Sequence, residues 1–256
     1  LIPLVAECGG KDAFIVSDDA DVKAAAENTL WAAMSNAGQT CIGAERVYVH
    51  EKVADEFIRI ITAQAGLLSA GVHYGAMTMP SQIDVITKHV EDALAAGGSP
   101  LVGGREAIQA PYVQPIIIAE VPENNSAVQE ETFGPVLIIN RVKSDEEAIE
   151  KANATSYGLG ASVWSKRKGK KIAQKLRTGM ISINSVLGFA GVSSVPFGGV
   201  GDSGYGRIHG PEGLKEFTFA RSIAAPRFRS PLQLTSFRRG PKTDALIARL
   251  IRLLHG

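Results

Sequence analysis

The sequence has little cysteine, almost no net charge and no long hydrophobic run. Two cysteines, Cys8 and Cys41, stand among 256 residues. That excludes a disulfide framework and sets the expectation of a reduced, cytoplasmic setting. Lys and Arg number 27 against 26 Asp and Glu, for a net charge of +1, so the chain as a whole has no basic footprint for nucleic acid. No apolar stretch approaches the roughly 20 residues that cross a bilayer. The opening Leu1-Ile2-Pro3-Leu4-Val5-Ala6 is apolar, but it lacks the basic region and the length of a secretory leader. The histidines are scattered and no Cys/His spacing suits zinc. Gly198-Gly199, Gly201, Gly204 and Gly206 lack the order and the strand-to-helix setting of a phosphate loop. No segment repeats at a fixed period.

What is present is enough apolar residue for a core. The chain is 45% hydrophobic, which supports one large or two small domains. The near-zero charge hides an asymmetry. From Arg221 onward there are eight Lys or Arg and one acidic residue, against 19 basic and 25 acidic before it.

Short apolar runs alternate with amphipathic ones. Residues 1–7 read as a short buried strand ending at Glu7, and Ala13-Phe14-Ile15-Val16 as a second. Asp18-Asp19 offer helix-start acceptors. From Val22 to Ala37, Ala25, Ala26, Thr29, Leu30, Ala33 and Met34 share one helical face. Further strands are expected at 46–50, 112–121, 136–139, 161–164, 179–184 and 221–224. Further helices are expected at 53–68, 80–96, 144–152, 166–177 and 211–219. Pro80, Ser81 and Asp84 read as one capped helix start, and Ser144 with Glu147 as a capping box. His50, at a strand end, reads as a surface residue. The glycine- and serine-rich stretch 185–206 is long enough to be a functional loop. This alternation predicts an α/β fold, a mostly parallel twisted sheet flanked by helices.

The chain is organised around Gly38-Gln39-Thr40-Cys41. A helical run ends, a glycine breaks it and a cysteine follows; Glu7 stands 34 positions upstream in Glu7-Cys8-Gly9-Gly10-Lys11. A thiol is the strongest common side-chain nucleophile, and a carboxylate can take a proton from it or from water. A lone cysteine more often packs inertly, and a glutamate before two glycines can simply end a strand.

Four motifs together resemble the aldehyde dehydrogenase superfamily. They are Glu7-Cys8-Gly9-Gly10-Lys11, Gly38-Gln39-Thr40-Cys41, Glu130-Glu131-Thr132-Phe133-Gly134-Pro135, and Pro196-Phe197-Gly198-Gly199 with Ser203-Gly204. The resemblance covers residues 1 to about 225 and departs mildly where Cys8 replaces a common leucine and Met34 a common phenylalanine. It implies a catalytic domain over 1–225, containing the end of the cofactor-side segment, with the dinucleotide-binding domain ahead of this chain. It implies NAD or NADP as cofactor, an aldehyde as substrate and a homo-oligomer. Cys41 would attack the aldehyde, and Glu7 would activate the water that releases the acid. Glu131 would bind the nicotinamide-side ribose, Phe133 would pack near the nicotinamide, and Cys8 and Gly9 would approach the ring. Leu159 and Phe197 would lie at the cofactor's reactive end, and Phe189 with the rest of 186–194 would line the substrate entrance. No carboxylate-binding arginine stands in 185–196, which favours an apolar or aromatic aldehyde. No metal is implied.

Two other readings stand beside this one. The thioester could pass its acyl group to coenzyme A, although Glu7 is wanted only for hydrolysis. The chain could also be a non-catalytic fragment serving folding or oligomerisation. Residues 226–256 read as a basic linker and then a short amphipathic helix at 243–254, which fits a weak membrane-surface contact, a partner subunit or its own body.

Overall fold

The computed structural model describes Ile2, residues 4–228, Phe237 and residues 240–255. The chain divides into two compact units, Leu1–Thr218 and Phe219–Gly256.

In chain order the first unit has β1 (Ala6–Glu7), β2 (Ala13–Val16), α1 (Val22–Met34), β3 (Arg46–His50), α2 (Glu51–Ala65) and α3 (Pro80–Ala95). Then come β4 (Ser99–Val102), β5 (Ile108–Gln109), β6 (Tyr112–Val113), β7 (Ile116–Ala119), α4 (Ser126–Gln129), β8 (Val136–Val142) and α5 (Asp145–Ala152). It ends with β9 (Gly160–Trp164), α6 (Gly169–Ala173), β10 (Met180–Ile183), β11 (Gly204–Tyr205) and α7 (Gly210–Glu216). Seven strands form one sheet in the order β10-β9-β2-β3-β8-β7-β4, parallel except where β4 meets β7. The α/β fold expected from the sequence is the one observed.

The sheet is buried on both faces, so its strands are apolar without alternation. Successive side chains still point to opposite sides. Phe14 and Val16 join α1, α2 and α3 in the larger core, with Leu30, Phe57, Ile61, Ile86 and Val90. Ala13 and Ile15 face the other side, with Ala148, Ile149 and Ile172 of α5 and α6. Ser144 caps α5 by accepting the Glu147 N–H at 3.1 Å, and the Glu147 carboxylate accepts the Lys143 N–H at 2.8 Å.

Several local expectations are corrected. Of the strand expected over 1–7, the described residues form one at Ala6–Glu7; it pairs with β11 outside the main sheet, and Leu4 is exposed. His50 is buried, and its Nδ1 accepts the Lys52 N–H at 3.2 Å as the N-cap of α2. Helix α1 is capped by Asp21 rather than Asp18 or Asp19; Asp18 pairs with Lys168 and Asp19 accepts from the Ser165 hydroxyl. Helix α3 has Met79 at its cap position, with no side-chain bond, and Pro80 in its first turn. The run 112–121 splits at Gln114-Pro115, because proline brings no N–H to a ladder. Tyr112–Val113 folds back on β5, while Ile116–Ala119 enters the sheet. The edge strand β4, which carries Pro100, was not expected. The basic helix expected over 166–177 shortens to Gly169–Ala173, since the Arg167 and Lys168 N–H groups are taken by Asp19 and Ser165 side chains. Residues 221–224 form no strand.

In the second unit, α8 (Pro241–His255) is a helix with Leu246, Leu250, Ile251, Leu253 and Leu254 exposed. Most of the linker expected over 230–242 lies outside the described residues. Among the described residues no helix is long and apolar enough to cross a membrane.

Candidate active site

Helix α1 stops because the backbone turns left-handed three times in a row, at Asn36 (φ 54), Ala37 (φ 57) and Gly38 (φ 68). Non-glycine residues in this region cost on the order of 1–3 kcal/mol each. Side chains hold the turn. The Asn36 amide donates to the Gln39 carbonyl at 2.8 Å, the Gln39 amide donates back to the Asn36 carbonyl at 3.0 Å, and its oxygen accepts the Thr78 N–H at 2.8 Å. At Gly38 a Cβ would lie 2.1 Å from the Gly134 carbonyl oxygen. Glycine there lets the cysteine loop touch the Glu130–Pro135 segment, backbone to backbone.

The Cys41 side chain is half-buried against the cluster of Ile42, Leu159, Met180 and Phe189, on which Phe197 also packs. Phe197 also stacks at an angle on Phe189, with ring centres 6.4 Å apart, and on His209 at 5.9 Å. Burial pushes the Cys41 thiol above its ordinary pKa, and the nearby carboxylates of Asp12, Glu131 and Glu7 push the same way, while the Ile42 N–H opposes them. The shift favours the protonated thiol over the thiolate.

Glu7 is held by the late motif. Strand β1 pairs Glu7 with Gly204, and the Cys8 N–H donates to the Ser203 carbonyl at 3.2 Å. A Cβ on Gly204 would lie 2.0 Å from the Ala6 carbonyl oxygen, so this approach too requires glycine. Partial burial raises the Glu7 pKa, opposed by the positive charge of Arg207. A carboxylate shifted that way is a better proton acceptor near neutral pH. Arg207 itself donates to the Gly199 and Gly206 carbonyls, at 2.9 and 2.5 Å.

Asp12 is a buried acid that sequence reasoning missed. Its carboxylate accepts the Gly160 N–H at 2.9 Å, and burial pushes its pKa up to about 8, against the pull of that N–H and of Arg46. The folded state thus keeps a proton that the unfolded chain releases above pH ~4. Stability from this group is fully present below that value, declines as pH rises towards 8, and is level beyond it. Asp12→Asn is expected to flatten the fall of Tm with pH across this window. It also removes the negative charge beside Cys41, so the pH profile of Cys41 alkylation by iodoacetamide moves to lower pH. An unshifted alkylation profile contradicts the assigned coupling.

The third motif closes the other side. Glu131 accepts the Gly10 N–H at 2.9 Å, and burial raises its pKa. Gly9 has φ +88, and a Cβ there would lie 2.5 Å from a Glu131 carboxylate oxygen. Phe133, at φ 47, borders two open cavities. One of about 470 Å³ is lined by Gln82, Val85, Glu130, Glu131 and Tyr157; another of about 250 Å³ by Asn36, Gln39, Thr78 and Met79. A ribose diol needs a carboxylate with spare acceptor capacity at an open face. Glu131 keeps one oxygen outside its bond to Gly10 and faces the larger cavity, and the bare Gly9 leaves it room, so these residues fit such a group.

The structure thus brings Cys41, Leu159 and Phe197 into one cluster, with Glu7 and Glu131 close enough to influence the thiol. It places Gly9 against Glu131. Cys8 is exposed and its N–H is already committed. Asp12, Arg207 and the Lys11–Glu45 ion pair lie near these residues; Lys11 belongs to a quoted motif, only burial distinguishes Asp12 and Glu45 from ordinary charges, and Arg207 is partly buried. Among the described residues no group of three or more His, Cys, Asp or Glu is placed to hold a metal ion.

The chain is similar to known proteins. A protein of Mycobacterium ulcerans (strain Agy99), provisionally named succinate-semialdehyde dehydrogenase [NADP(+)] 2, is 40% identical over 238 residues, covering 89% of this chain and 46% of the relative. The 4,4'-diapolycopene aldehyde oxidase of Methylomonas sp is 39% identical over 236 residues, covering 90% and 44%. The solved betaine aldehyde dehydrogenase of Staphylococcus aureus, in complex with NAD+, superposes with a TM-score of 0.77 at 29% identity, covering 83% of this chain and 44% of that one. The chain therefore spans about half the length of the curated relatives it matches. The model of the aldehyde dehydrogenase family matches residues 1–223, the region in which all four motif segments meet around Cys41, and this chain belongs to that family.

Proposed function

We propose that this chain carries the catalytic half of an NAD(P)-dependent aldehyde dehydrogenase, which oxidises an aldehyde to a carboxylic acid. The observation that carries the reading is the position of Gly10. Its N–H holds Glu131, and a Cβ on it would lie 2.9 Å from the Cys41 carbonyl and 3.0 Å from the Leu159 side chain. One bare residue joins the glutamate strand, the cysteine loop and the cofactor acid.

In this reading the Cys41 thiol gives its proton to solvent water and its sulfur adds to the aldehyde carbon, opening the C=O π bond to a thiohemiacetal oxyanion that faces the Cys41 backbone N–H. Glu131 and Phe133 hold the nicotinamide end of the cofactor, assisted by the bare backbone at Gly9 and by Cys8, Leu159 and Phe197. The cofactor, when bound, supplies the acceptor for the hydride. The thioester left on Cys41 is cleaved by water whose proton goes to Glu7, and the thiol returns to Cys41. Ile42, Leu159, Met180, Phe189 and Phe197 make the surroundings of the sulfur apolar. That lining favours an apolar or aromatic aldehyde over succinate semialdehyde.

The test is turnover of the full-length gene product with NAD and NADP on aliphatic, aromatic and carboxylated aldehydes. Reduction of neither cofactor by any of them overturns the proposal. Acyl transfer in place of hydrolysis is seen if coenzyme A, rather than water, sets the rate. The reading also makes the enzyme a cytoplasmic homo-oligomer, to be checked by fractionation and by sedimentation of the full-length product.

Helix α8 adds a weak contact with an anionic membrane surface. Its exposed leucines and Ile251 make an apolar face, and Lys242, Arg249 and Arg252 supply positive charge. The full-length product is expected to sediment with vesicles containing phosphatidylserine at low salt and to be released at high salt. Absence of binding at low salt removes this contact.

A further inference from the structure

Beneath the cofactor-side loop lies a buried ion pair that the chemistry above does not use. Lys11 and Glu45 are 2% and 4% exposed. The Lys11 ammonium meets a Glu45 carboxylate oxygen at 2.5 Å. Burying two charges is costly unless their remaining hydrogen-bond capacity is also filled. Here much of that capacity is taken up from one place. The same Glu45 oxygen accepts the Thr132 N–H at 2.8 Å, and the other accepts the Phe133 N–H at 2.8 Å. Lys11 also donates to the Thr132 hydroxyl at 3.1 Å. That hydroxyl lies 3.1 Å from Nδ1 of buried His89. Having accepted from Lys11, it is free to donate to a neutral His89, whose own pKa is lowered by burial and by Lys11.

The chain path makes this arrangement local to the site. Glu45 stands four residues after Cys41, directly before β3, and Lys11 four residues after Glu7. Glu45 grips the two backbone amides that flank Thr132, next to Glu131. Phe133 is left-handed, a conformation that a bulky residue keeps only when its surroundings hold it.

We propose that Glu45, charge-balanced by Lys11, is the positioning residue of the cofactor site: it holds the Glu131–Phe133 loop in the shape that receives the nicotinamide-side ribose. The inference rests on the reading of Glu131 and Phe133 as cofactor ligands. Glu45 touches neither cofactor nor substrate; it acts through the two amides.

The test uses the full-length gene product and the double variant Lys11→Met/Glu45→Gln, which removes both buried charges and so avoids stranding one. A glutamine keeps one acceptor oxygen where the carboxylate had two, so one of the two loop amides loses its partner. The cofactor dissociation constant, measured by fluorescence titration, is expected to rise at least about tenfold, as when other supporting contacts are lost. The cofactor KM rises with it, while the aldehyde KM and the rate of Cys41 alkylation without cofactor stay unchanged. Hydrogen exchange adds a readout that needs no ligand. The Thr132 and Phe133 amides are protected in the wild type, and at least one loses protection in the variant. An unchanged dissociation constant in the folded double variant overturns the proposal. So does rapid wild-type exchange at both amides, which decides the matter even if the variant does not fold. Glu131→Ala separates the two readings. If it leaves cofactor binding unchanged, the ligand role of Glu131 fails, while amide protection still reports whether Glu45 holds the loop.

Discussion

Cys41→Ala in the full-length gene product is expected to lower kcat for aldehyde oxidation by more than about 10⁴-fold, because no other group takes over from a missing nucleophile. The structure limits the collateral effects. Cys41 is half-buried in an apolar cluster, so loss of one sulfur changes stability by about 1 kcal/mol or less. The contacts that hold Glu131, from Gly10 and from the Glu45-anchored loop, do not involve the thiol. Cofactor affinity therefore stays within about twofold. The check is kcat beside an equilibrium titration with cofactor. More than about a hundredth of the wild-type rate, with full cofactor binding, removes Cys41 from the chemistry.

Glu7→Gln is expected to stop the reaction one step later. Glutamine keeps the shape but cannot take a proton from water, so turnover falls by about 10²–10⁴-fold, the usual contribution of a positioned base. The first half-reaction survives. Mixing the variant with aldehyde and cofactor should yield one equivalent of reduced cofactor per active site and then a slow phase, with acyl mass on Cys41. The pH dependence follows from the raised Glu7 pKa. In the wild type the rate climbs with pH as Glu7 loses its proton, with the midpoint above the ordinary glutamate value, and the variant lacks that limb. A variant that shows neither burst nor acyl adduct places Glu7 before thioester formation.

Much of the fold was legible because its determinants are local. Ala13–Val16 and Ile116–Ala119 are apolar without alternation and had to be buried on both faces. The two capping bonds made by Ser144 and Glu147 involve only the five consecutive residues Lys143 to Glu147. The errors arose where the outcome depended on distant partners. Nothing near His50 in sequence shows that helix α2 begins there and needs a cap, so by sequence it looks like a surface residue. The basic run after Trp164 was read as one long helix because Asp19, which takes the Arg167 N–H, is 148 residues away.

The candidate site divides in the same way. By itself the sequence determined which residues are the candidates for chemistry, since a cysteine after a helix break, a glutamate before two glycines and the Glu-Glu-x-Phe-Gly-Pro segment are visible as residue types in order. It also determined where glycine stands, although not why. Only the tertiary structure decided what those residues do to one another. Gly10 meets Glu131 across 121 positions and Asp12 meets Gly160 across 148. Lys11 finds Glu45 across 34 positions, the separation that also divides Glu7 from Cys41. In the sequence, Asp12, Lys11 and Glu45 are ordinary charges. Desolvation makes one a proton-holding acid near the thiol and the other two a structural pair, and desolvation depends on which surfaces the folded chain closes over them.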